Sequence, residues 1–155
     1  MAVEPIINPH NLKILGWWSK TPGQTKQQVL LGEDVRELMP TGLAVNDEAA
    51  LSHSADLVRH NEILGLHFQL LDKPVKTKGG KLGKITDYVY DNQAMLVQKL
   101  HVSRPLTKLF ASEDVLIIDR NQILEVTDKY ILVRDADIKV TEEELAVAPE
   151  AAAAA

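Results

Sequence analysis

Residues 29–47 (VLLGEDVRELMPTGLAVND) overlay residues 117–135 (IIDRNQILEVTDKYILVRD) without a gap, at a constant offset of 88 positions. Most apolar positions fall on apolar positions, and Glu37 falls on Glu125. A match of this length within one chain indicates an internal repeat, which must be recognised first because it sets the architecture. The sequence therefore predicts two copies of one structural unit.

The two copies differ at their beginnings. Residues 5–18 (PIINPHNLKILGWW) resemble residues 88–101 (YVYDNQAMLVQKLH) at a slightly different offset, whereas residues 70–87 (LLDKPVKTKGGKLGKITD) have no match in the first copy. The second copy is therefore predicted to be complete and the first to lack its opening hairpin. Open strand edges are usually covered in natural proteins, so we expect a helix over residues 54–64, or a partner strand, to cover this one.

Composition narrows the class of protein. The chain has 155 residues, 45% of them hydrophobic and 25% charged, which is typical of a soluble globular protein. The absence of cysteine excludes disulfides and thiolate metal sites. The net charge of −5 argues mildly against a protein that coats nucleic acid. We expect no membrane insertion and a cytoplasmic location, because no apolar run reaches ~18 residues and no secretion signal opens the chain.

Short strand patterns separated by turn residues indicate a mainly β fold. One segment differs, because residues 54–64 repeat apolar side chains at helical spacing, with Ser54 as a cap and Gly65 as a stop. The chain is predicted to contain, in order, a first unit over 1–51, a helical linker over 52–68, a complete unit over 69–140 and an acidic, alanine-rich, disordered tail over 141–155.

The second copy resembles a known family. A Leu-Leu entry and an apolar strand lead to Gly79-Gly80, then Lys81-Leu82-Gly83-Lys84-Ile85 and Asp87, followed by VQKLHV and VLIIDRNQILEVTDKYILVRD. This order is similar to the PRC-barrel family, the small β-barrel of the reaction-centre H subunit and of the ribosome maturation factor RimM. The resemblance covers about residues 69–138 and implies two small antiparallel β-barrels, the first incomplete, acting in recognition and assembly.

Glycine and aspartate positions of this motif have structural interpretations. Gly79-Gly80 is typical of a hairpin turn, and Gly83 within a strand indicates a bulge or a close backbone approach. We interpret Asp87 as a turn former as well. The other strand-end aspartates receive the same interpretation, because no nucleophile or base accompanies them; they are Asp91, Asp119, Asp128 and Asp135.

Five lysines lie within twelve residues of the predicted hairpin: Lys73, Lys76, Lys78, Lys81 and Lys84. They form either a cationic surface for RNA phosphate or an acidic protein, or a solvated hairpin that resists edge-to-edge pairing. Neither arginine nor an aromatic residue is interleaved among them, so the segment offers bases no platform for stacking.

Trp17 and Trp18 are adjacent in a predicted strand, so their side chains point to opposite faces. One is expected in the core and the other outside it, where it binds a partner or packs under the helix. His53, His60 and His67 recur every seven residues. Seven helical residues rise ~10.5 Å, too far for neighbours to share one metal ion. We therefore predict no metal and no cofactor.

These observations favour a non-enzymatic scaffold or adaptor that binds an unidentified protein partner, with a homodimer possible. The predicted partner-binding residues are Trp17, Trp18, Lys76, Lys78, Lys81 and Lys84. The alternative is an RNA-associated factor in ribosome or RNA maturation, similar to RimM-type proteins, which would use the lysines of residues 73–84. The flanking domain that accompanies the barrel in such proteins has no clear match in this chain.

Overall fold

A computed structural model describes residues 2–104 and 115–134 of the chain, with side chains from residue 4 onward. The fold is mainly β, as predicted. The chain divides into two compact units, Met1–Phe68 and Gln69–Ala155. Asp135 and the predicted tail over 141–155 lie outside the described residues. No helix of the described ranges is both long and apolar enough to cross a membrane.

Unit 1 contains the strands β1 (Ala2–Asn8), β2 (Lys13–Ser19), β3 (Gln28–Leu31), β4 (Val35–Met39), β5 (Gly42–Val45) and β6 (Leu51–His53), and the helix α1 (Asn61–Leu66). Antiparallel pairing joins β1 to β2, β2 to β3 and β3 to β6. The strands β4 and β5 form a separate antiparallel hairpin.

Unit 2 contains β7 (Pro74–Thr77), β8 (Gly80–Asp91), β9 (Leu96–Ser103), β10 (Val115–Asp119), β11 (Ile123–Val126) and β12 (Ile131–Val133). Their order is β11–β12–β7–β8–β9–β10. Among the described residues β11 and β10 remain free ends, so the predicted closure into antiparallel barrels is not seen. The pair β12–β7 is also parallel, which is possible because most of the unit connects the two strands.

The repeat is confirmed at the level of strand register. In unit 1, Val35 pairs with Val45 at the base of the β4–β5 hairpin. In unit 2, Ile123 pairs with Val133 at the base of β11–β12, and both hairpins carry a bulge after this pair. The 3₁₀ turn that precedes each hairpin matches as well, because residues 32–34 and 120–122 are 88 positions apart. Bulges at equal positions show that the same local geometry was duplicated.

The upstream strands repeat equally closely, at an offset of 83. Pro5 pairs with Trp17 in β1–β2, and the equivalent Tyr88 pairs with Leu100 in β8–β9. Two register shifts occur at matching places in both hairpins. The change of offset from 83 to 88 therefore arises in the connections that follow β2 and β9.

The core of unit 1 forms where α1 packs on the sheet. Leu64 is buried together with Ile6, Trp18 and Val29, with Leu57 and Ile63 at the margin. The predicted continuous helix over 54–64 is wrong. Two 3₁₀ turns cover residues 54–56 and 58–60, and only residues 61–66 are α-helical.

The backbone at Leu57 explains why the helix is interrupted. Leu57 has φ −91° and ψ 58°, outside the helical region, and its side chain is partly buried against the core cluster. Ser54 makes no capping hydrogen bond to α1, and Gly65 lies inside the helix, which ends at the left-handed His67. Tertiary packing of Leu57 has overridden the helical spacing.

The core of unit 2 consists of aliphatic side chains from five of its six described strands, all except β11. Those with no exposed surface are Val75, Ile85, Val97, Leu100, Val102, Ile118, Ile131 and Val133. Three of them, Val75, Ile131 and Val133, come from the parallel β7–β12 pair. The short strand β7 therefore contributes to the core of unit 2 as well as to its hydrogen bonding.

Gly83 is required by a close approach of β8 to β9. A Cβ atom at this position would clash with the carbonyl oxygen of Ser103 and would lie 2.8 Å from the Ser103 carbonyl carbon. Both are backbone atoms, which cannot move without breaking the β8–β9 ladder. The interpretation of Gly83 as a site of close backbone approach is therefore confirmed.

We expect Gly83→Ala to destabilise the protein by about 1–3 kcal/mol or more, because the added methyl group overpacks the ladder. The matched control is Gly65→Ala, since a Cβ at Gly65 meets nothing within 4 Å. That substitution should stabilise helix α1 by about 0.5–1 kcal/mol. Urea unfolding of both variants gives the comparison, and equal stability of the two would contradict the close approach.

Candidate interaction surfaces

The hairpin predicted to turn at Gly79-Gly80 is formed by β7 and β8. Thr77 pairs with Gly80 across a two-residue turn made of Lys78 and Gly79. Gly80 has φ 147°, which favours glycine. The Gly79 N–H donates to the Thr77 hydroxyl at 3.2 Å, so the side chain of Thr77 holds the turn in shape.

The five lysines of the hairpin separate into two groups. Lys73 is buried and donates from Nζ to the Asp128 carbonyl oxygen at 2.6 Å. Lys76 places its ammonium 3.5 Å from the centre of the Tyr130 ring, a cation–π contact. Both lysines therefore connect β7 to the turn between β11 and β12.

The remaining three lysines make an exposed cationic surface. Lys78, Lys81 and Lys84 are all exposed, at the turn and along the first half of β8. We call these three residues the lysine surface. The contacts of Lys73 and Lys76 hold β7 against the turn before β12, so the hairpin that carries the lysine surface is held in place at its base.

Asp87 is not a turn residue, and the interpretation as a turn former is wrong. It lies within β8 at the register shift between Ile85 and Asp87, where its carboxylate accepts the Tyr88 N–H at 2.8 Å. A carboxylate that accepts a local N–H is useful at a bulge because the ladder is interrupted there. Asp91 does form a turn, since its carboxylate accepts the N–H groups of Gln93 and Ala94.

Neither tryptophan is exposed, so of the two alternatives for the second indole the structure shows packing under the helix. Trp17 and Trp18 retain 9% and 8% of their accessible surface. Trp18 packs in the core cluster under α1 and stacks on His67, with ring centres 5.7 Å apart. The strand pattern predicted opposite directions for the two rings but could not show that both would be covered.

An open cavity of about 700 Å³ lies in unit 1 beside Trp18. Its floor includes Trp18 and Leu64, and its rim carries polar side chains, namely Lys26, His53, Asp56 and Asn61. His60 is not among the lining residues, and no group of three or more metal-binding side chains occurs within residues 4–104 and 115–134.

The sequence analysis did not find the residues that contact Lys73 and Lys76. Tyr130 and Asp128 lie more than fifty residues from β7 in sequence, on the turn before β12. No local pattern connects them to Lys73 or Lys76. Comparison with known proteins adds no identification, because no protein-family profile and no curated protein sequence matches the chain.

Burial lowers the pKa of Lys73 below its ordinary value of 10.5, while the charge of Asp128 acts in the opposite direction. Because the folded pKa is the lower one, the unfolded chain binds more protons between the two values. The contribution of this group to stability therefore rises as pH increases through the folded pKa, and it levels off above the ordinary value.

We expect the free energy of unfolding of the wild type, minus that of Lys73→Met, to increase between neutral pH and pH 10.5. Methionine keeps the apolar stem and removes the ammonium. Urea unfolding at several pH values measures the difference, and Lys78→Met controls for the loss of one exposed positive charge. A difference that falls as pH rises would show that Lys73 is not desolvated by folding.

Proposed function

We propose that this protein is a non-enzymatic interaction module of the PRC-barrel type, and that it binds an acidic protein partner through the lysine surface. The proposal rests chiefly on one observation. Lys78, Lys81 and Lys84 are exposed together on a hairpin whose base is fastened by Lys73 and Lys76. A fixed cluster of like charge attracts an oppositely charged partner and speeds association.

The PRC-barrel assignment is supported by the order of elements in unit 2. The glycine-containing hairpin β7–β8 is followed by β9, β10 and the hairpin β11–β12, at the places where the sequence motif resembles the family. The duplicated register supports a tandem arrangement of two such units. In this proposal unit 1 is the shorter copy, with no counterpart of β7 among the described residues.

A protein partner is favoured over RNA because the aromatic ring that contacts the hairpin has a covered face. Tyr130 lies beside the hairpin, but the Lys76 ammonium covers its face at 3.5 Å. Single-stranded nucleic acid is usually bound by open aromatic rings on which bases stack. The Tyr130 face is therefore closed to bases, and the charge of the lysine surface suits an acidic protein surface.

Reversing two charges of the lysine surface tests the proposal. We expect Lys78→Glu together with Lys81→Glu to weaken binding of the partner by about tenfold or more, because like charges then face each other. The measurement is affinity capture from host extract with quantitative mass spectrometry. Lys13→Glu together with Lys26→Glu is the matched control, since both are exposed lysines of unit 1.

Two results would overturn the proposal. If the reversed variant captures the same proteins in the same amounts as the wild type, the lysine surface is not the binding site. If capture is abolished by ribonuclease and the purified chain binds RNA with a steep salt dependence that the reversal removes, the alternative function as an RNA-associated factor replaces it.

A further inference from the structure

The two copies of the repeat differ in what lies beside their second hairpin. In unit 2, β12 pairs with β11 on one side and with β7 on the other. In unit 1, the equivalent strand β5 pairs with β4, and no second partner for it occurs within residues 2–104 and 115–134. The edge of β12 that pairs with β7 therefore has an equivalent edge on β5, and no described strand pairs with it.

The side chains along β5 remain suited to such an occupant. Ile131 and Val133 of β12 are fully buried next to β7. Their equivalents in β5, Leu43 and Val45, are also aliphatic but only partly buried. A strand edge with unpaired backbone groups and half-exposed aliphatic side chains is the usual template for addition of an extended segment.

Charge indicates the chemistry of the segment that would fit. Between residues 32 and 50, five exposed carboxylates stand against one arginine, Arg36; they belong to Glu33, Asp34, Glu37, Asp47 and Glu48. The strand that fills the equivalent place in unit 2 is basic, with Lys73 and Lys76 at and within β7. Carboxylates on the β4–β5 hairpin and on its two flanking turns favour a cationic strand at its edge.

We propose that the β5 edge of unit 1 binds an extended, lysine-containing segment of a partner protein, which adds to β5 as a parallel strand in the manner of β7. In β7 the apolar Val75 lies opposite Ile131 and Lys76 lies opposite Leu132. The equivalent register places a β-branched residue opposite Leu43 and a basic residue opposite Ala44. This site is separate from the lysine surface of unit 2 and does not depend on it.

A peptide with the sequence of residues 71–80 (LDKPVKTKGG) is the probe, acetylated and labelled with a fluorophore. Its binding to the full chain is followed by fluorescence anisotropy. We expect saturable binding that is several-fold tighter to Ala44→Glu than to Ala44→Lys, because residue 44 faces the basic residue of the added strand. A peptide carrying Val75→Asp should not bind measurably, because an acid replaces the residue opposite Leu43.

The matched control introduces the same two residues, glutamate or lysine, at Leu124, which is 48% exposed on β11 of unit 2. Leu124→Glu and Leu124→Lys should bind the peptide equally well. A difference at Leu124 that equals the difference at Ala44 would show general electrostatic attraction or displacement of β7, and it would overturn the proposal. The proposal would also be overturned if the peptide did not bind, or if the Val75→Asp peptide bound as tightly as the unchanged peptide.

Sedimentation of the chain alone separates a partner segment from a second copy. We expect the mass to stay that of a monomer as concentration rises. Self-association that is weakened by Ala44→Lys would assign the β5 edge to a second copy of this chain instead of a partner. The double substitution Lys78→Glu and Lys81→Glu should leave peptide binding unchanged, so failure of the proposed function and failure of this inference give different results.

Discussion

The parallel pairing of β7 with β12 is the interaction on which the organisation of unit 2 depends. It buries Val75 against Ile131 and Val133, and it positions Lys73 and Lys76 for their contacts with the turn before β12. The lysine surface is then carried on the β8 side of the same hairpin. Unit 1 repeats the other strands in register but offers no described strand in this place. The described parts of the two units thus differ in this short pairing and in β6 and α1, which belong to unit 1.

Much of this fold could be predicted from the sequence, because a repeat transfers register from one copy to the other. The offset of 88 placed Glu37 on Glu125, and the structure has both residues immediately after a bulge. The sequence could not show which strand side chains would be buried by packing against other elements. Trp17 and Trp18 alternate in direction as predicted for a strand, but burial of both depends on neighbours that are remote in the chain.

The errors have related physical causes. The segment over residues 54–64 has helical spacing, yet the packing of Leu57 interrupts it after one 3₁₀ turn. Barrel closure requires pairing between the terminal strands of a sheet, and no local sequence feature specifies such a pairing. The candidate site was predictable as a cluster of lysines. Its division into two members that contact Asp128 and Tyr130 and three exposed members was not predictable, because Asp128 and Tyr130 are distant in sequence.

We propose that charge and strand pairing are the two means by which this protein recognises partners. Unit 2 presents a basic surface on the β7–β8 hairpin. Unit 1 presents carboxylates on and beside the β4–β5 hairpin, whose β5 edge has no described partner. Amide hydrogen exchange of residues 43–45 compared with residues 131–133 tests this most directly. The account predicts that all amides of β12 are protected, whereas those of β5 that do not bond to β4 exchange as in an open edge. Equal protection of the two strands would show that the β5 edge is already occupied, and it would contradict the account.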